Sequence, residues 1–104
     1  MNTTDPNDVQ WDVALEALLT ERFHSQGQPL DLAVLRNLAE FHTIRLDDIL
    51  DTLCKLVSHG HWSYTGNDGQ PLEPDHDMCR LLKANHRLND TQLARLGGRW
   101  LPLD

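Results

Sequence analysis

Cys54, His59, His61, His76 and Cys79 read as C-x4-H-x-H followed by H-x2-C. Thiolates and imidazoles are the groups that hold zinc in tetrahedral sites, which are usually built from closely spaced pairs. Here the spacing is irregular, and His59 and His61 straddle the expected end of a helix. Cys54 falls on the flank of that helix, where a half-buried structural cysteine is the usual explanation. No metal is expected. Nucleophilic chemistry has less support still: the chain carries no Gly-x-Ser-x-Gly, no phosphate-cradling glycine loop and no metalloprotease motif. At 104 residues it is also short for a cleft of enzyme size. The expectation is a protein that is not an enzyme and needs no cofactor.

Charge is the more informative chemistry. The formal net charge is −7, unevenly spread. Residues 1–44 hold seven acids and two bases (−5), and residues 45–75 six acids and two bases (−4). Residues 76–104 hold Arg80, Lys83, Arg87, Arg95 and Arg99 against three acids (+2). The basic groups therefore gather in the C-terminal quarter, as phosphate contacts, as a surface docking on the acidic face of a sister subunit in a homodimer, or as a solvated helix face.

These groups are positioned by a small number of elements. The length fits one domain with one core. An apolar fraction of 39% with 24% charged residues is that of a globular chain. No apolar run approaches the length of a membrane span. The first ten residues are polar and acidic, unlike a secretory signal, and the two cysteines fit a reducing compartment in which neither needs a partner. A cytoplasmic protein without a membrane partner is expected.

After a flexible tail over residues 1–8, Asp8 is read as the cap of a helix over about residues 9–24, with Trp11, Leu15, Leu18, Leu19 and Phe23 as its apolar stripe. Asp31 caps a second helix with Leu32, Leu35, Leu38 and Ala39 inward. Residues 40–43 read as a turn, and Thr43 as the cap of a third helix over residues 44–59. There Leu46, Ile49, Leu50, Leu53, Leu56 and Val57 keep helical spacing throughout. Gly60 stops it. Residues 61–65 alternate as a strand, residues 66–69 turn, and a short return through Gln70, Pro71 and Leu72 completes a hairpin. Asp75 opens a fourth helix over about residues 76–85, with Met78, Leu81 and Leu82 inward and Arg80, Lys83 and Arg87 outward. Asn89 caps a last short helix ending near Gly97 and Gly98, followed by an extended tail. The fold class expected is mainly α with a small β-hairpin (α+β), with additional C-terminal helices over residues 76–104 in the same domain.

Residues 30–74, LDLAVLRNLAEFHTIRLDDILDTLCKLVSHGHWSYTGNDGQPLEP, and above all KLVSHGHWSY at residues 55–64, carry a resemblance to the winged-helix (winged helix-turn-helix) superfamily. The resemblance covers a core over residues 9–75. It implies a third helix that enters a DNA major groove and a wing that meets the backbone or minor groove. On this chain the outward face of that helix holds Asp48, Asp51 and Lys55, flanked by Arg45, Thr52, Ser58 and His59, with Asp47 at the edge. Base readers are usually Arg, Lys, Asn or Gln, with cations for the phosphates. Asp51 and Lys55, four apart, should engage one another. From Leu56 to Cys79 there is no Lys or Arg, whereas duplex affinity comes from neutralising phosphates. The expected activity is therefore that of a regulator or adaptor working through protein contacts at Arg45, Asp48, Asp51, Thr52, Lys55, Trp62 and Tyr64. Trp62 and Tyr64 either line that surface or cover the hairpin against the helices. The expected partner is basic or itself DNA-binding. The alternative is a dimeric DNA-binding transcription regulator using Arg80, Lys83, Arg87, Arg95 or Arg99 on phosphates. Trp100 either anchors a partner or folds back on the domain.

Overall fold

Asp12, Asp31, Asp75 and Asn89 each stand one residue before a helix and turn a side-chain oxygen onto N–H groups of its first turn. This satisfies donors that a helix start otherwise leaves open. The computed structural model describes residues 11–103. Its elements are α1 (Val13–Gln26), α2 (Leu32–His42), α3 (Leu46–Ser58), β1 (Trp62–Thr65), β2 (Pro71–Leu72), α4 (His76–Lys83), α5 (Asp90–Ala94) and β3 (Arg99–Pro102). Asn89 forms a complete capping box: its side chain accepts from Gln92 N (2.8 Å) while the Gln92 side chain accepts from Asn89 N (2.9 Å).

Three helices end in one manner. In α3 the N–H of Gly60 bonds to the Val57 carbonyl and that of His61 to the Leu56 carbonyl, the paired bonds of a Schellman stop, with Gly60 at φ 79°. The ends of α2 and α4 repeat this pattern around Thr43 (φ 54°) and Asn85 (φ 68°). Thr43 therefore closes α2 rather than opening α3. The expected turn over residues 40–43 is instead the last turn of α2 through His42, and α3 begins at Leu46 after Arg45, which makes no side-chain cap. The expected Asp8 cap lies outside the described residues, but α1 starts only at Val13, because Asp12 accepts from the Ala14 and Leu15 N–H groups.

The core forms around α3, which buries Ile49, Leu50, Thr52, Leu53, Cys54 and Leu56. Leu19, Leu30, Leu35, Leu96 and Trp100 close over it, each without exposed surface. The fold is α+β, with a three-stranded antiparallel sheet in the order β2-β1-β3. The C-terminal stretch expected as a tail is thus a strand: Trp62 pairs with Pro102, Tyr64 with Trp100 and Thr65 with Arg99. On its far side β3 is joined to the α1–α2 connection, where Leu30 and Trp100 exchange both backbone hydrogen bonds (2.8 and 2.9 Å). Trp100 thus spends its backbone groups on Leu30 and faces Tyr64 as a non-hydrogen-bonded pair, in which side chains approach closely. The two rings lie 4.4 Å apart, centroid to centroid. Among the described residues, no helix is long and apolar enough to cross a membrane.

Candidate functional site

The outward face of α3 holds its charges in pairs. Arg45 at the N-cap reaches forward to Asp48 with two hydrogen bonds, Nη2 to Oδ1 at 3.0 Å and Nε to Oδ2 at 3.3 Å. The Asp48 hydrogen bond and charge, with help from Asp47, raise the guanidinium pKa above its ordinary value. One turn further on, Lys55 Nζ sits 2.9 Å from Asp51 Oδ2. Asp51 is more enclosed than Asp48, and its Oδ1 is buried with no hydrogen-bond partner among the described residues. Asp47, half-buried in the first turn, has no ion pair among the described residues.

Three residues expected on this surface are inside the protein. Thr52 is 3% exposed, Trp62 2% and Tyr64 6%. On β1 the alternation runs buried, half-buried, buried, half-buried, so Trp62 and Tyr64 cover the hairpin while Ser63 and Thr65 face outward. Trp62 and Tyr64 thus take the covering role of the two expected, and Tyr64 packs on Trp100, which folds back rather than anchoring a partner. Thr52 lies on the inner side of α3 between Leu50 and Leu53. Arg45, Asp48, Asp51 and Lys55 remain accessible.

The five C-terminal bases part company in three dimensions. Arg95 Nε lies 3.1 Å from Asp75 Oδ2 and ties α5 to the cap of α4. Arg99 donates to the carbonyl of Asn67 (3.4 Å) and steadies the hairpin turn. Arg80 pairs with Asp77 at 3.4 Å on the surface of α4. Lys83 and Arg87 are exposed and make no ion pair among the described residues. Arg87 does not continue the face of Arg80 and Lys83, because α4 ends at Lys83 and Asn85 turns the chain away in the left-handed conformation.

What the sequence kept apart the fold joins: α4 lies beside α3, and a groove runs between them. It is lined by Asp51, Cys54, Lys55 and His59 from α3 and its C-cap, by Glu73, and by His76, Cys79, Arg80 and Lys83 from α4. The cysteines are bonded to one another, although the expectation from sequence is that neither needs a partner. Cys54 comes from α3 and Cys79 from the first turn of α4, and no periodicity rule connects positions 25 residues apart. Two histidines of the C-x4-H-x-H pattern have an aromatic neighbour. Trp11 lies with its ring 5.1 Å from both His59 and His61, and its Nε1 donates to Glu16 at 2.9 Å. Among the described residues no three His, Cys, Asp or Glu side chains are grouped to hold a metal ion. The groove's membership was hidden in the sequence. Cys79 on the inward flank of α4 was the available signal, since an inward-facing cysteine on each of two adjacent helices can meet. Compared with models of known families, with curated proteins and with solved structures, the chain matches none.

Proposed function

We propose that the chain is a small winged helix-turn-helix regulator or adaptor of the cytoplasm that acts through protein contacts, without catalysis. The observation that carries this reading is the pairing on α3. Arg45 is engaged by Asp48 and Lys55 by Asp51, so among the described residues both cations of the face that should meet phosphates are already paired. Asp47 on the same helix and Asp68 at the hairpin turn add negative charge. Duplex DNA carries about one negative charge per 1.7 Å of axis, and binding it begins with neutralising that charge. An acidic helix and hairpin instead fit a partner that is basic where it touches, such as a DNA-binding protein whose nucleic-acid surface they occupy.

A second reading has its own observation. Lys83 and Arg87 are exposed and free of ion pairs among the described residues, which suits a regulator that uses them on phosphates, as a dimer. Mobility shift with random and genomic duplexes at low salt separates the two. The protein-contact reading expects no retardation, and capture of a partner from the native host that is lost on Asp47→Lys with Asp48→Lys. Salt-sensitive retardation that disappears with Lys83→Ala and Arg87→Ala would establish the second reading instead.

A further inference from the structure

The disulfide joins elements that enclose the hairpin: Cys54 precedes β1, Cys79 follows β2, and their Cα atoms are 5.9 Å apart, a normal span for the bond. Its two ends are unequal. Cys54 is 7% exposed on the inner flank of α3, whereas Cys79 on α4 is half-buried and lines the groove. A reagent entering from solvent therefore meets Cys79 first. The groove that both cysteines line also carries the cations Lys55, Arg80 and Lys83. Cys79 also lies near the N-terminal end of α4, with its N–H bonded to the Asp75 carbonyl. Cations and helix N-termini favour thiolates, the form in which a sulfur attacks or leaves. The acids on the same walls are Asp51, held by Lys55, and Glu73, with Asp77 held by Arg80 just outside.

We propose that Cys54–Cys79 is a reversible thiol–disulfide exchange site, opened by a dithiol that attacks Cys79 from the groove between α3 and α4. In the first step a thiolate of the dithiol bonds to Cys79 Sγ, the Sγ–Sγ bond breaks, and Cys54 leaves as a thiolate that takes up a proton. In the second step the other thiol of the reagent loses its proton, bonds to its own partner sulfur, and expels Cys79 as a thiolate that is protonated in turn. The dithiol is oxidised to its disulfide by two electrons, and the cysteine pair is reduced by the same two. A disulfide-bearing oxidant runs the steps in reverse. The oxidised form closes the loop that contains the whole hairpin. In the reduced form α4 keeps its place by burial of Met78 and Leu82 and by the Arg95–Asp75 pair. A cytosolic disulfide is typically one that opens and closes, which suits the cytoplasmic reading. The chemistry itself belongs to the pair and holds or fails independently of whether the partner is protein or DNA.

The test uses the folded, unmutated chain after treatment with oxidised glutathione. Maleimide labelling counted by mass is expected to add nothing before reductant. After dithiothreitol in the absence of denaturant it is expected to add two groups per chain, and none again after reoxidation. Labelling of the oxidised sample without reductant, or a pair that opens only in denaturant, would overturn the proposal. The direction of attack is read separately. In Cys54→Ser the remaining Cys79 should react with an aromatic disulfide reagent at least about tenfold faster than Cys54 does in Cys79→Ser. Equal rates, or a faster Cys54, would refute attack at Cys79. If either variant fails to fold, the labelling of the native chain still decides reversibility.

Discussion

The Tyr64 hydroxyl accepts the backbone N–H of Gly98 at 2.8 Å, in the interior of the protein. This bond ties β1 to the approach of β3. It leaves no room beside Gly98, where an added Cβ would stand 2.7 Å from Tyr64 Cζ and 2.8 Å from its oxygen, and closer still to the Thr65 carbonyl. Two of these neighbours are a ring wedged against Trp100 and a strand backbone, neither of which can give way. Gly98→Ala is therefore expected to destabilise by about 3 kcal/mol, at the upper end for overpacking. Gly97→Ala, whose added Cβ meets the Ala94 carbonyl at 3.0 Å, should cost clearly less. Urea denaturation of both variants checks the order, and equal midpoints would contradict it.

Burial pushes the Tyr64 phenol above its ordinary pKa, against the Gly98 N–H, which favours the phenolate. The folded protein thus holds its proton where the unfolded chain has released it. The contribution to stability is complete below the unfolded value of about 10 and is lost as pH rises through the folded value, with a slope of at most about 1.4 kcal/mol per pH unit. Tyr64 is the single tyrosine of the chain, so phenolate absorbance reports it alone. Its titration midpoint should lie above that of the urea-unfolded chain. Tyr64→Phe should flatten the alkaline decline in stability at the cost of roughly 1 kcal/mol for the lost hydrogen bond.

Trp100 has no exposed surface, and its Nε1 is buried without a hydrogen-bond partner among the described residues. Truncation to Ala should cost about 3–5 kcal/mol, much of the stability available to a small domain. Trp100→Phe keeps the contact with Tyr64 and removes an unsatisfied donor whose burial costs about 1–3 kcal/mol. It should therefore lose far less than Ala does. Comparing the two variants by thermal unfolding followed by far-ultraviolet circular dichroism checks the difference.

Thr43 closes α2 in the left-handed region, where a β-branched residue is strained by about 1–2 kcal/mol. Glycine is at ease there, although it gives back about 0.5–1 kcal/mol in chain entropy. Thr43→Gly is expected to stabilise by up to about 1 kcal/mol, and a lower melting temperature would show that the Thr side chain contributes something else.

The disulfide closes a loop with a sequence separation of 25. Constraining a loop of that length in the unfolded chain stabilises by roughly 3–3.5 kcal/mol on the chain-entropy account. Reduction of the intact chain should then lower its melting temperature by more than about 10 °C. Cys54→Ala with Cys79→Ala should melt near the reduced protein and be insensitive to dithiothreitol.

Local rules account for the parts of the fold that were legible beforehand. The caps at Asp31, Asp75 and Asn89, the stop at Gly60 and the inner face of α3 each depend on groups within four or five residues of one another. The Asp51–Lys55 pair is visible for the same reason, since helical geometry brings residues four apart together wherever the helix is placed. Thr43 misled because Thr is a common N-cap, and only the backbone turn after His42 gives it to the preceding helix instead.

The sequence by itself determined the order of helices and hairpin, most of their boundaries and the acidic character of α3, because spacing and capping act over a single turn. Tertiary structure alone decided the rest. Positions 30 and 100 meet as a backbone bridge, 64 and 98 as a hydrogen bond, and 54 and 79 as a covalent bond. Each joins segments whose approach depends on which apolar faces find one another in the core. The same packing buried Thr52, Trp62 and Tyr64, turned Arg95 and Arg99 to structural use, and set Arg80 and Lys83 of α4 on a groove shared with α3.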